Sequence, residues 1–276
     1  MLATSASLLS RIHTLPTVPK VVQELIATFD QPEINLPRVA RLVNTDPVIA
    51  AKVLRLANSA YYRRSRTVTN IDEAIVFMGL DALRMLVVGA GFAASVPVPS
   101  ELGRALFWRY CLHTAVCARY FACQSKEDPQ AAFTAGLLHA IGEPLMLMSM
   151  EGELRDVERQ ARFYDPERAL CERSRVGFAY SDLGAELAES WRFPPAMVAA
   201  IREAPEPLAG KDFSRLAACI NLGSHFAAGV ERHQDMDTSL MTLDSRVLEA
   251  IGLDLGSAGR MPPPAKLAQG LEELVG

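Results

Sequence analysis

Apolar residues recur along this chain at helical spacing, and prolines set directly behind aspartates mark where helices begin. Asp46-Pro47, Asp128-Pro129 and Asp165-Pro166 each place a capping carboxylate before a residue whose missing N–H costs nothing at the first helical position. Behind the first, Ile49, Val53, Leu56 and Ala60 recur at intervals of four, three and four, which puts them on one face. Asn70 with Glu73 has the form of a capping box, and Ile71, Ala74, Ile75 and Met78 carry the stripe on to Gly79. Ser181 opens another predicted helix, with Leu183, Leu187 and Trp191 at intervals of four before Phe193-Pro194-Pro195. No period-two run is long enough to demand a sheet, so the pattern predicts an all-α fold.

Pro97 and Pro99 divide the sequence into an N-terminal helical lobe, residues 1–97, and a second helical lobe, residues 98–230. Residues 231–276 read as a polar connector, a short helix over Ser245–Ile251 and a flexible Gly- and Pro-rich tail. No repeat recurs at solenoid spacing.

Composition narrows the picture. The chain has 276 residues, of which 50% are hydrophobic and 22% charged, enough apolar surface for a core and too little charge for a disordered chain. Its net charge of −4 gives no overall attraction for phosphate backbones or anionic lipid, so neither nucleic acid nor a membrane is expected as a partner. Five cysteines without a C-x-x-C pair suit buried thiols in a reducing compartment. The first residues lack a basic leader, and the longest apolar run, Met85 to Ala94, is about half the ~20 residues a bilayer requires. A soluble cytoplasmic protein is the expectation.

Three motifs invite chemistry. Gly89-Ala90-Gly91-Phe92-Ala93-Ala94 has the spacing of a dinucleotide-binding turn, but Pro97 follows too soon for the helix that turn needs. Small residues for close helix packing are the alternative. Lys52, Arg55, Arg63, Arg64 and Arg66, interleaved with Tyr61 and Tyr62, could hold a phosphorylated ligand or an acidic partner, or form a solvated helix end. Arginine outnumbers lysine 23 to 5 over the chain, so some clustering is background. His113 and His139 lie on predicted helices, as metal ligands in helical bundles do, but they are equally readable as core histidines. H-E-x-x-H, G-x-S-x-G and Walker patterns are absent from the sequence.

Taken together, several stretches resemble the HDOD domain, a helical output module related to the HD-type metal-dependent phosphohydrolases. They are Leu15-Pro16-Thr17-Val18-Pro19, Asn44-Thr45-Asp46-Pro47, KVLRLANSAYY from Lys52 to Tyr62, IDEAIVFMGL from Ile71 to Leu80, GLLHAIGE, and GAELAESWRFPP. The resemblance implies an HD-like bundle and a role in bacterial signal transduction. It also implies where metal ligands would stand in catalytic relatives: His113 and His139 match histidine positions, Ala140 replaces the aspartate of the His-Asp pair, Tyr180 replaces a histidine, Ala204 and Pro205 replace a His-His pair, and Asn221 replaces a closing aspartate. Two neutral imidazoles without a carboxylate do not balance a dinuclear metal centre. The expectation is therefore a non-enzymatic module with no metal or other cofactor, which finds a signalling protein in trans. Its candidate binding edge is Arg55, Asn58, Tyr61, Arg63 and Arg64, with Asn58 equally readable as a local cap or a hydrogen-bond bridge between the lobes. A nucleotide receptor that reuses the old cleft or the arginine cluster, and a residual phosphohydrolase, are the alternatives.

Overall fold

At two of the three Asp-Pro sites the aspartate caps a helix as the spacing predicts. In the computed structural model, which describes residues 5, 8, 18–27, 35–59, 62 and 67–275, Asp46 accepts from the amides of Val48 and Ile49 at 3.0 and 3.1 Å. Asp128 accepts likewise from Gln130 and Ala131. Asp165 departs from the prediction. Its carboxylate turns back to the Arg162 amide at 2.7 Å, so it closes a turn, and the next helix starts only at Arg168. Asn70 caps the Glu73 amide at 2.8 Å, while the Glu73 carboxylate reaches past Asn70 to the Thr69 amide.

The N-terminal part comprises α1 (Lys20–Ile26), α2 (Leu36–Asn44), α3 (Pro47–Ala57), α4 (Ile71–Met78) and α5 (Leu80–Ser95). After the Pro97–Pro99 connector come α6 (Arg104–Ser125), α7 (Pro129–Leu138), α8 (Gly142–Gln160), α9 (Arg168–Val176), α10 (Tyr180–Ser190), α11 (Pro195–Glu203) and α12 (Arg215–Glu231). Four short helices follow, α13 (Met236–Met241), α14 (Ser245–Ala250), α15 (Leu255–Gly259) and α16 (Pro264–Leu267), then a 3₁₀ turn over Glu272–Leu274. Among the described residues the fold is all helical, without a strand.

The long α6 is the axis of the core. Small residues let α12 cross it closely: a Cβ on Gly223 would stand 2.6 Å from the Thr114 carbonyl oxygen and 2.9 Å from the Ala118 nitrogen. Phe121 of α6 and Phe226 of α12 then stack at 5.9 Å between ring centroids. The Gly89-Ala90-Gly91 segment lies inside α5 and serves the same kind of packing, since a Cβ on Gly91 would meet Val22 of α1 at 2.3 Å. At the C-terminal end, Leu271 and Leu274 are fully buried, and Leu274 fills the space beside Gly89. The stretch Pro129–Gln160 is long and apolar enough to cross a membrane, but 89% of its apolar window is buried inside the protein.

Two polar devices hold the frame. The first is Arg168, whose side chain has no exposed surface. Its guanidinium grips Glu143 of α8 with Nε and Nη2 at 3.0 and 2.9 Å, donates to Glu172 at 2.7 Å and to the Ala161 carbonyl at 2.9 Å, and pairs with the half-buried Glu158 at 2.6 Å. Burial raises the pKa of both Glu143 and Glu172; the Glu172 charge raises Glu143 further, and Arg168 opposes the rise in each. Burial works to lower the Arg168 pKa, but the surrounding carboxylates outweigh it and raise the value. The two inner carboxyl groups share one guanidinium, and Glu172 also accepts from the Tyr180 amide.

The second device is Asn58, the C-cap of α3. Its amide nitrogen donates to the Leu54 and Val68 carbonyls, and its amide oxygen accepts from the Val68 N–H, all at 2.8 Å. The side chain thus imitates one rung of a backbone ladder and ties the end of α3 to the entry of α4.

Both devices have measurable consequences. Arg168→Met strands buried carboxyl groups, and about 3–5 kcal/mol of stability is expected to disappear at neutral pH. A carboxyl group whose folded pKa is raised favours folding below its unfolded pKa and loses that advantage as pH climbs through the raised value. The deficit of the variant is therefore smaller at pH 5 than at pH 8; urea titrations giving the same deficit at both would contradict this account. Asn58→Ala removes three hydrogen bonds and is expected to cost about 1–2 kcal/mol, which calorimetry reads as a lower Tm. An unchanged Tm would free Asn58 for a purely binding role.

Candidate functional site

The residues that resemble metal-ligand positions are distributed over α6, α7, α10, α11 and α12, and the structure brings only some of them together. His113 sits in the middle of α6, buried, with no hydrogen-bond partner for Nδ1 among the described residues. Burial lowers its pKa, with the Glu231 carboxylate opposing and the Arg109 cation reinforcing that effect. His139 is the C-cap of α7, and its Nδ1 lies 2.7 Å from the Gly136 carbonyl oxygen. That contact places the proton on Nδ1 and leaves Nε2 as a bare acceptor, buried and unpartnered among the described residues. Burial drives the His139 pKa down to about 4, so the ring is neutral at neutral pH. It packs against Tyr110, with ring centroids 5.2 Å apart.

Ala140 is fully buried and apolar where a carboxylate would have to stand. The next glycine explains what the segment does instead. A Cβ on Gly142 would stand 2.0 Å from the Tyr180 carbonyl oxygen, so only glycine lets the start of α8 approach the start of α10 this closely. Tyr180 is fixed at that point by its own amide, which donates to Glu172 at 2.7 Å. The buried carboxylate cluster and the Gly142 contact together set the Tyr180 ring. Asn221 of α12 donates its amide to the Ala204 and Pro205 carbonyls at 2.8 and 3.3 Å, which closes the end of α11.

Tyr180, Pro205 and Asn221 line one cavity of about 510 Å³, and His113, His139, Ala140 and Ala204 are not in its wall. His139 stands behind Tyr110, which forms part of the wall. The sequence reading missed Tyr110, Tyr164, His225 and Arg232, which also line the cavity, and the segment from Thr242 to Val247, which closes one side. The one signal available for Tyr110 was its position a turn before His113. Nothing in the sequence linked the later residues to the cleft, because they come from elements far apart in the chain.

These donors do not fit a dinuclear metal centre. The two histidines have no carboxylate beside them at the expected positions, the amide of Asn221 is engaged with backbone carbonyls, and among the described residues no group of three or more His, Cys, Asp or Glu side chains is placed to hold a metal ion. In the arginine cluster, Arg55 is an exposed residue of the last turn of α3, and Asn58 makes the bridge described above. Tyr61, Arg63 and Arg64 lie outside the described residues.

Comparison with known proteins agrees with this architecture. A crystal structure from Shewanella amazonensis, of a protein whose phosphohydrolase name is provisional, superposes with a TM-score of 0.79 at 29% identity and covers 98% of each chain. An HDOD domain protein of unknown function from Geobacter sulfurreducens superposes with a TM-score of 0.75 at 23% identity, covering 98% of this chain and 94% of that one. Among curated proteins, an uncharacterized protein of Treponema pallidum is 27% identical over 248 residues, 86% of this chain and 47% of that protein. The cyclic di-GMP phosphodiesterase CdgJ of Vibrio cholerae is 34% identical over 67 residues, 24% of this chain and 16% of that protein. The chain thus spans about half the length, or less, of the curated relatives it matches. The model of the HDOD domain matches residues 15–207, well over half of the sequence, and the chain belongs to the HDOD family.

Proposed function

We propose that this protein is a non-enzymatic signalling module that acts in the cytoplasm by binding a partner protein in trans. One observation carries the reading: where a catalytic relative would need a closing carboxylate, Asn221 holds the Ala204 and Pro205 carbonyls. On this reading, the amide at that position holds backbone and leaves no carboxylate for a metal. Membership of the HDOD family supports a signalling role, as does the short match to CdgJ, a protein named for cyclic di-GMP turnover. All five cysteines are free thiols, which supports a reducing compartment. The proposed docking edge is Arg55, Tyr61, Arg63 and Arg64, where planar guanidinium groups and phenol rings suit an acidic protein surface.

Two measurements test this. Purified protein is expected to hold iron, manganese and zinc well below one equivalent and to hydrolyse nucleotides and phosphodiesters no faster than a blank. About two equivalents of metal, lost on His113→Ala or His139→Ala, would overturn the non-enzymatic reading. In cross-linked capture from cells, the double variant Arg63→Glu, Arg64→Glu is expected to lose the native partner while its Tm stays within about a degree or two, since charges that serve docking contribute little to folding. Undiminished capture by that variant would remove the arginine edge from the proposal.

A further inference from the structure

The cavity has features that the partner-binding reading does not use. Tyr110 and Tyr180 line it with rings only 3% and 8% exposed, yet among the described residues neither hydroxyl has a hydrogen-bond partner, and neither is sealed from the cavity. A buried tyrosine ordinarily finds a partner for its O–H. Burial raises the pKa of both phenols, so both remain protonated donors. Beside them Asn221 has its amide nitrogen engaged, which leaves its carbonyl oxygen as an acceptor. His225 donates from Nε2 to the Ser239 carbonyl at 2.7 Å, so its Nδ1 is a second acceptor. The walls are flat and rigid: the Tyr110 and Tyr164 ring centroids are 6.4 Å apart, and Pro166, Pro205 and Pro207 face the same space.

Charge decides the ligand class. Each ion on the wall already faces an opposite one: Arg232 faces Asp165 at 3.8 Å, Arg246 pairs with Asp244 at 2.7 Å, and Glu206 pairs with Arg173. No surplus positive charge awaits a phosphate, and a dianion would have to pull a guanidinium from its carboxylate. At about 510 Å³ the cavity falls within the roughly 300–1,000 Å³ of small-molecule sites.

We infer that this cavity is a receptor site for a flat, uncharged heteroaromatic molecule, held between the tyrosine and proline walls and read along its edge by the Tyr110 and Tyr180 hydroxyls and the Asn221 carbonyl. The inference adds a ligand input to the module and does not depend on the arginine edge or on the identity of any partner protein.

Saturation-transfer NMR and calorimetry with adenosine, guanosine and theophylline, each beside the full chain, test it, with AMP and GMP as charged counterparts. At least one of the three uncharged compounds is expected to bind, and its 5′-phosphate, where it has one, to bind no more tightly. Tyr110→Phe and Tyr180→Phe each delete one hydroxyl and are expected to weaken binding roughly three- to tenfold without lowering the Tm of the free protein. Thr242→Trp, which fills the cavity from its exposed side, is expected to weaken binding more than about tenfold. The site assignment is overturned if none of the three compounds binds, if a monophosphate binds more tightly than its nucleoside, or if the phenylalanine and tryptophan variants bind like the parent.

Discussion

The buried guanidinium of Arg168 is the constraint on which the site-bearing half of the molecule depends. It joins α8 to α9 through Glu143 and Glu172, and Glu172 passes the restraint to the first amide of α10. A buried arginine among carboxyl groups is not an obvious source of stability, because desolvation consumes most of the attraction. What it supplies is geometry. Three helices that meet at a charge cluster with a buried centre are held to an arrangement that satisfies its donors, and Tyr180 inherits its position from that arrangement.

In the same half, the positions that the family resemblance marks for metal ligands are occupied by apolar side chains or by groups already bonded to backbone. The backbone geometry around the histidine of α7 remains, including the glycine at 142 that lets the Tyr180 carbonyl approach. Of these positions, Ala140 is core, Asn221 ties down the end of α11, and His139 is a neutral ring packed at a tilt against Tyr110. The cavity nearby is lined by aromatic rings, prolines and hydrogen-bonding groups, and its charged residues are paired with one another or with neighbours.

The C-terminal seventy residues take part in this change. The family match stops at residue 207, yet His225, Arg232 and the Thr242–Val247 segment form a wall of the cavity, and Leu274 reaches back to α5. The segment is therefore built into both the cavity and the core.

Local order was legible in the sequence: the helical class, the caps at Asp46, Asn70 and Asp128, the packing role of the Gly89 segment, and the family. Each of these depends on residues a few positions apart, where capping and periodicity act. The start of the helix after Asp165 was not legible, because a carboxylate can turn to an earlier amide as readily as to a later one. For Asn58 the sequence offered a cap or a bridge but not the partner Val68 ten positions on, and it gave no sign of the Arg168 pairing with Glu143 across twenty-five. A charged residue on a helix has the same neighbours in sequence whether it ends in water or in the core. Only tertiary packing, by removing water from Arg168, Tyr110 and Tyr180, decided which polar groups hold the fold and which remain open to a ligand.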